Sequence, residues 1–199
     1  MSVKLRLASM IAGGALIVSA PAFATSPPVQ TFSGAENASY TCATAAASAQ
    51  ARGTATDGDL AACTMAVNLA GDSKGRLAAA LTNRGVMHLA RAEYAGTIAD
   101  SSAALQVDGK FAEALVNRGV ALMLQGRPGD AVTDISKGLA LAPSHAERAY
   151  FNRAMAREDM GDLRGAYLDY REAAKMDPSW DRPKKELARF TVVQHTPTS

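Results

Sequence analysis

The feature that most constrains this chain is a tripeptide that returns at a nearly constant interval. Asn83-Arg84-Gly85 recurs as Asn117-Arg118-Gly119, and then again, with one additional residue in the interval, as Asn152-Arg153-Ala154. An aspartate follows each asparagine at the same distance, at positions 100, 134 and 169. Several positions that keep one register indicate an internal repeat. Each unit of such a repeat must stack on its neighbours to bury its apolar face.

Glycine and proline divide each unit into two helices. Gly126 predicts the turn between a first and a second helix. Pro143 ends the second helix, because proline lacks the N–H group and clashes with the preceding turn. Gly85 and Gly119 fall inside the first helix, where glycine costs about 1 kcal/mol relative to alanine. We therefore expect another helix backbone to approach closely at these two glycines.

This pattern resembles the tetratricopeptide repeat, a pair of helices with small residues, an aromatic residue and proline at fixed offsets. The resemblance covers residues 78–179, in three units at 78–111, 112–146 and 147–179. It implies an all-α fold, an antiparallel helix-hairpin solenoid (the superhelix of tetratricopeptide repeats) with a C-terminal capping helix over 180–191. Thr97, Gly109 and Pro128 depart from the pattern, and we expect them to change packing detail alone.

Upstream of these units, residues 39–77 predict a looser helix hairpin that carries Cys42 and Cys63. We interpret it as a degenerate repeat whose first helix begins at about Ser39, after a flexible segment over 25–38. In an oxidising compartment we expect a disulfide between the two cysteines, with two buried thiols as the alternative. Residues 192–199 are predicted to be a flexible tail.

The N-terminal segment of the chain predicts export. Lys4 and Arg6 precede an apolar run over 7–18, and Ala22-Phe23-Ala24 supplies the small residues that a signal peptidase requires. A membrane anchor is the alternative, but the run is shorter than the roughly 20 apolar residues of a spanning helix. We expect a signal peptide over 1–24 and a mature chain that starts at Thr25. This chain would be periplasmic or secreted and not inserted in a membrane.

Charge and motif content argue against several functions. Removing Lys4 and Arg6 takes the 21 basic residues to 19, which equals the 19 acidic residues, so the mature chain is formally neutral. A nucleic-acid-binding protein normally carries a basic face, and we expect no nucleic-acid partner. The chain lacks a zinc-ligand spacing, a phosphate loop and a nucleophile elbow. We expect no cofactor, no metal and no catalytic residues.

Binding of a peptide segment or a partner protein remains the best-supported function. In tetratricopeptide proteins the first helices line a concave groove, and the resemblance implies that Asn83, Asn117 and Asn152 face into it. An asparagine amide donates and accepts hydrogen bonds, so this ladder could hold a peptide main chain. The predicted apolar wall beside the ladder consists of Thr82, Val86, Val116, Val120, Phe151 and Met155. The alternative is that each asparagine braces its own repeat.

Two further functions fit the same sequence. The protein could be a structural scaffold of an envelope complex that uses its convex face or its ends, or an accessory factor of a cell-wall enzyme. The repeated charges have a structural interpretation in every case. We expect ion pairs, within or between hairpins, that set the stacking of the units. The residues concerned are Arg84, Arg118 and Arg153 with Asp100, Asp134 and Asp169.

Overall fold

The computed structural model describes residues 33–190, and this part of the chain folds into nine α-helices. They are α1 (Gly34–Arg52), α2 (Asp57–Leu69), α3 (Lys74–Ala90), α4 (Tyr94–Val107), α5 (Ala112–Leu124), α6 (Pro128–Ala140), α7 (Ala146–Asp159), α8 (Leu163–Met176) and α9 (Asp181–Leu187). Helices α1 to α8 form four successive hairpins. In the described range no helix is long and apolar enough to cross a bilayer. The predicted signal peptide and the predicted tail over 192–199 lie outside the described residues.

The first helix begins earlier than the sequence analysis predicted. It starts at Gly34 rather than near Ser39, so residues 34–38 are helical and do not belong to a flexible segment. The Ser33 hydroxyl accepts a hydrogen bond from the Glu36 N–H, while the Glu36 carboxylate accepts one from the Ser33 N–H at 3.0 Å. This capping box satisfies backbone donors of the first turn, which explains why the helix starts here.

The hairpins form a solenoid with two layers. The first helices contact each other directly, α1 with α3, α3 with α5 and α5 with α7. The second helices α2, α4 and α6 each pack against the first helix of their own hairpin and that of the next. The first helices therefore form the inner layer, and the second helices form the outer layer.

Glycines at the helix crossings keep the two layers close, as predicted. A Cβ atom at Gly119 would lie 3.1 Å from the Ala131 carbonyl oxygen, and one at Gly138 would lie equally close to the Ala112 carbonyl oxygen. Backbone atoms at that distance leave no room for a methyl group unless the helices separate. The prediction is wrong for Gly85, where a Cβ atom would make only ordinary contacts and the nearest backbone atom would be 3.7 Å away.

The predicted disulfide is present in the first hairpin. It joins Cys42 on α1 to Cys63 on α2, whose Cα atoms are 4.4 Å apart. The rest of this hairpin's interior consists largely of alanine methyl groups, from Ala38, Ala46, Ala49, Ala55 and Ala66. The hairpin therefore buries little apolar surface of its own.

The C-terminal end of the solenoid is closed by α9, as expected, although the helix ends at Leu187. Helix α9 follows α7 at nearly the same spacing along the chain as α7 follows α5, and it packs against α8 as α7 packs against α6, so it takes the position of a further first helix. The Trp180 ring lies 4.9 Å from the Phe151 ring, and Phe190 packs against Tyr167 and Tyr170. Aromatic contacts thus cover the last hairpin.

Candidate binding surface

The repeated arginines and aspartates pair within each hairpin, as the sequence predicted. Arg84 donates to both carboxylate oxygens of Asp100, at 2.8 and 2.7 Å. The same two-bond geometry recurs in the pairs Arg118–Asp134 and Arg153–Asp169. The aspartates are buried and the arginines are partly buried. Paired, planar hydrogen bonding of this kind orients the second helix on the first.

Two of these arginines also reach back to the preceding unit. Arg118 donates to the Ser102 hydroxyl of α4 at 3.2 Å, and Arg153 donates to the Ser136 hydroxyl of α6 at 3.0 Å. Each of these guanidinium groups therefore links three helices. The charges of the repeated motif are bound inside the solenoid, where they fix the stacking of neighbouring hairpins.

The asparagine ladder lies in the core. Asn83 is 3 % exposed, and Asn117 and Asn152 are 0 % exposed. The prediction that these amides hold the main chain of a ligand is therefore wrong for this structure, because a ligand in a groove cannot reach a side chain that solvent does not reach. Their burial favours the alternative interpretation, in which each asparagine braces its repeat, since buried amides are normally hydrogen-bonded within the protein.

The predicted apolar wall is also mostly interior. Among its six members, Met155 is partly exposed and the other five are fully buried, namely Thr82, Val86, Val116, Val120 and Phe151. Two contacts explain this outcome. Val116 packs in a cluster with Ala149 of the next first helix. Phe151 is covered by Trp180 and by the Arg182 guanidinium, which lies 5.1 Å from the ring centroid. These two positions face the element that follows in the stack.

One set of first-helix side chains lies four residues before and seven residues after each asparagine, and all of its members except Glu113 are at least partly exposed. These offsets place them on the asparagine's side of the helix, at 3.6 residues per turn, away from the second helices. Leu124 is 37 % exposed, the Arg148 side chain is 32 % exposed, and Asp159 is also exposed. The full set of positions, which we name the first-helix face, is Ala79, Glu113 and Arg148 in one row and Ala90, Leu124 and Asp159 in the other. The offsets place this set on one side of the first helices, but they do not show which of its members are exposed.

Charged side chains occur in both rows of the first-helix face. Glu113 is the most buried member and accepts hydrogen bonds from the Ser144 hydroxyl at 2.7 Å and from the Ser144 N–H at 3.2 Å. Arg148, its equivalent in the next unit, is cationic. In the other row, partial desolvation of the carboxyl group and the neighbouring charge of Glu158 raise the pKa of Asp159 above its ordinary value. A carboxylate in this setting gains from a cation brought to it by a ligand.

The fourth hairpin, formed by α7 and α8, holds a second polar cluster close to this face. Glu158 accepts a hydrogen bond from the Tyr170 hydroxyl at 3.0 Å and pairs with Arg189, which follows α9, at 2.6 Å. Burial and the Glu158 charge raise the pKa of the Tyr170 hydroxyl far above its ordinary value. This cluster fixes the C-terminal cap. Within residues 33–190 no group of His, Cys, Asp or Glu side chains has a metal-binding arrangement.

Comparisons with known proteins agree with this architecture. Residues 147–179 match the family model of the tetratricopeptide repeat. The first such domain of human RPAP3 is 22 % identical over 56 % of this chain and 87 % of that chain, with a TM-score of 0.53. The Sgt2 domain from Aspergillus fumigatus is 26 % identical over 56 % of this chain and 74 % of that chain, with a TM-score of 0.51. The MamA protein is 16 % identical over 76 % of this chain and 79 % of that chain, with a TM-score of 0.56.

No curated protein sequence matches this chain. The family assignment depends instead on the matched third unit and on the shared fold. Three hairpins repeat one ion-paired register, and a fourth hairpin and a capping helix extend the same stack at its two ends. Residues 147–179 match the tetratricopeptide repeat, and the described part of the chain has the fold of tetratricopeptide-repeat domains.

Proposed function

We propose that this chain is an exported, non-catalytic interaction module that binds a segment of a partner protein on its first-helix face. The observation that carries the proposal is the direct contact between successive first helices, which joins their accessible positions into one surface. Equivalent positions recur along this surface once per unit. A stack of similar units presents an extended concave surface of this kind to its partners.

The residues of the face indicate the chemistry of the bound segment. Arg148 and Asp159 are eleven residues apart on α7, which is about 16 Å along the helix axis. Leu124 and Ala90 lie in the row of Asp159 and are apolar. A segment with apolar side chains and a basic residue near Asp159 would complement this row, and an acidic group would complement Arg148.

One similar structure supports the binding of a peptide. The first tetratricopeptide domain of Spaghetti (RPAP3), which is 22 % identical to this chain, was solved bound to an HSP90 peptide with the sequence SRMEEVD. That peptide belongs to that protein. What we carry over to this chain is the binding of a peptide by a domain of this fold.

Site-specific photo-crosslinking tests the face directly. A photoreactive amino acid at Leu124 should give discrete crosslinked products in the native cells, because this side chain lies on the proposed surface. Leu168 on α8 is the matched control, since it is 38 % exposed against 37 % for Leu124 but lies on the outer layer. Equal products from both positions, or products from Leu168 alone, would contradict binding on the first-helix face.

A pair of charge substitutions tests the energetics of the same surface. Leu124→Lys should reduce the recovery of the crosslinked partner, whereas Leu168→Lys should not, and both variants should keep the helical content of the parent. A partner that is recovered equally with Leu124→Lys would place binding elsewhere on the solenoid. Scaffolding through the convex face or an end is then the better description.

Export is tested separately by the mass of the mature protein. If the leader is removed as the sequence predicts, intact mass analysis of the envelope fraction should give a chain that begins at Thr25. A chain that retains Met1 in that fraction would refute the proposed cleavage and leave the binding experiments unaffected.

A further inference from the structure

The N-terminal hairpin is uncharged over nearly its whole length. No charged residue occurs between Glu36 and Arg52 on α1, or between Asp59 and Asp72 on and after α2. The outer side of the last hairpin differs, since α8 carries Arg164, Arg171 and Glu172 and α9 carries further charges. The two ends of the solenoid therefore have opposite character.

The disulfide fixes which side chains of this hairpin point outward. Because the Cα atoms of Cys42 and Cys63 are 4.4 Å apart, these residues are level on antiparallel helices. Tyr40 is two residues before one cysteine and Met65 is two residues after the other. They are therefore level as well, and each is about 200° around its helix from the bridge. Both side chains consequently point away from the hairpin interior.

The outward side of this hairpin is an end of the stack. Helix α3 packs on both α1 and α2, on the side where the cysteines and alanines lie. Tyr40 is 59 % exposed, Met65 is 58 % exposed and Leu69 is 44 % exposed. Along α2 these side chains border a shallow apolar depression that is lined by Asp57, Leu60, Ala61, Thr64, Met65, Asn68 and Leu69. We name Tyr40, Leu60, Ala61, Met65 and Leu69 the N-terminal end face.

A surface of this composition is unusual for the end of a solenoid. Terminal units normally have a polar outer face, because nothing stacks on them. A helix that is apolar on all sides is normally buried on all sides. Helix α2 has apolar side chains both toward α1 and toward solvent, so its outer side has the composition of a contact surface.

We propose that a second copy of this chain covers the N-terminal end face, so that two solenoids meet end to end about a two-fold axis. In a two-fold contact the same patch serves both copies, so it must be compatible with itself. This face meets that condition because it carries no charge from residue 60 to residue 71 on and after α2 or from 37 to 51 on α1. The one charged residue that lines the depression, Asp57 at the start of α2, is paired with Arg91 at 2.5 Å, which reduces like-charge repulsion between two copies.

The size of the face is close to that of a specific interface. Helix α1 has 19 residues and α2 has 13, so they are about 28 and 20 Å long and each is about 10 Å wide. The footprint is therefore about 480 Å² per copy and about 960 Å² in total, close to the roughly 1,000 Å² that a specific interface needs. The segment 25–32 could reach about 28 Å when extended, the length of α1, but a single extended strand is about 5 Å wide and would cover only part of the width of two helices.

Sedimentation equilibrium of the purified protein over a range of concentrations tests the proposal. The parent protein should show twice the mass of the single chain, with reversible dissociation on dilution. Met65→Glu places a charge at the centre of the face and should give the single-chain mass. Met160→Glu is the matched control, because Met160 is 55 % exposed against 58 % for Met65 but lies in the third repeat. This control should associate like the parent.

Three results would overturn the proposal. They are a parent protein that has the single-chain mass at every concentration, a Met65→Glu variant that still associates, and equal dissociation of both variants. If residues 25–32 cover the face instead, the parent is a monomer and deletion of those residues increases the rate of chemical oxidation of Met65. If Met65→Glu loses helical content by circular dichroism, Leu69→Glu gives the same test at the edge of the face.

Discussion

The disulfide should contribute about as much to the stability of the first hairpin as the alanine contacts inside it. The bridge closes a loop with a sequence separation of 21 residues, and loop closure of that length stabilises by about 3 kcal/mol. The buried methyl groups of Ala38, Ala46, Ala49 and Ala66 contribute roughly 0.8 kcal/mol each, or about 3 kcal/mol together. Replacing both cysteines by alanine should therefore unfold α1 and α2 locally while the three complete repeats stay folded.

Hydrogen exchange measured by mass spectrometry distinguishes local unfolding of the first hairpin from unfolding of the whole solenoid. In the Cys42→Ala, Cys63→Ala variant, amides of residues 34–70 should lose about two orders of magnitude of protection, since each 1.4 kcal/mol is about a factor of ten. Amides of residues 112–176 should exchange at the parental rate. Adding a reductant to the parent protein should reproduce this pattern, and the variant should not respond to it.

Two results would refute this reasoning. Parental protection over residues 34–70 in the variant would mean that packing on α3 alone holds the hairpin. An equal loss of protection over residues 34–70 and 112–176 would mean that the first hairpin and the repeats unfold as one cooperative unit.

Five further substitutions test the packing of the repeats by denaturant unfolding. Asp134→Ala should lower the free energy of unfolding by several kcal/mol because it leaves the Arg118 guanidinium without its carboxylate. Asp130→Ala, which breaks an exposed ion pair, should change the free energy of unfolding by at most about 1 kcal/mol. Equal effects of Asp134→Ala and Asp130→Ala would refute the structural role of the repeated pair. Ser101→Ala should raise the free energy of unfolding by about 1 kcal/mol, because the buried hydroxyl has no hydrogen-bond partner; a decrease would indicate a bound water at that hydroxyl. Ala92→Gly should raise the free energy of unfolding by roughly 1 kcal/mol, since Ala92 has a φ of 58°. Gly126→Ala at the equivalent turn should lower the free energy of unfolding. No change in either variant would contradict this account of the turn.

The repeat register could be read from the sequence because it depends on local spacing. The separation between Arg118 and Asp134 equals that between Arg84 and Asp100, so each pair falls within one hairpin. The hairpin boundaries follow from glycine and proline positions. The start of α1 was also readable, since Ser33 and Glu36 have the spacing of a capping box, but the prolines upstream suggested a longer irregular segment.

The binding surface could not be read in the same way. Asn117 and Leu124 are on one side of α5, and the sequence alone does not show which of them is covered by the neighbouring helices. The structure shows that Asn117 is buried and Leu124 is exposed. How deeply a side chain on this side of the helix is buried depends on the distance to the adjacent first helix. The repeat period in the sequence does not give that distance.

The position of α9 has a consequence for the length of the array. Helix α9 stands where a further first helix would stand, but its residues Asp181–Leu187 contain no Asn-Arg pair. Helix α9 therefore cannot form the equivalent of the hydrogen bond that Arg153 donates to Ser136 of the preceding unit. Growth by duplication of one helix-pair unit would need only to insert that unit ahead of residue 181. The number of repeats is thus a variable that gene duplication can change without redesigning the packing between units.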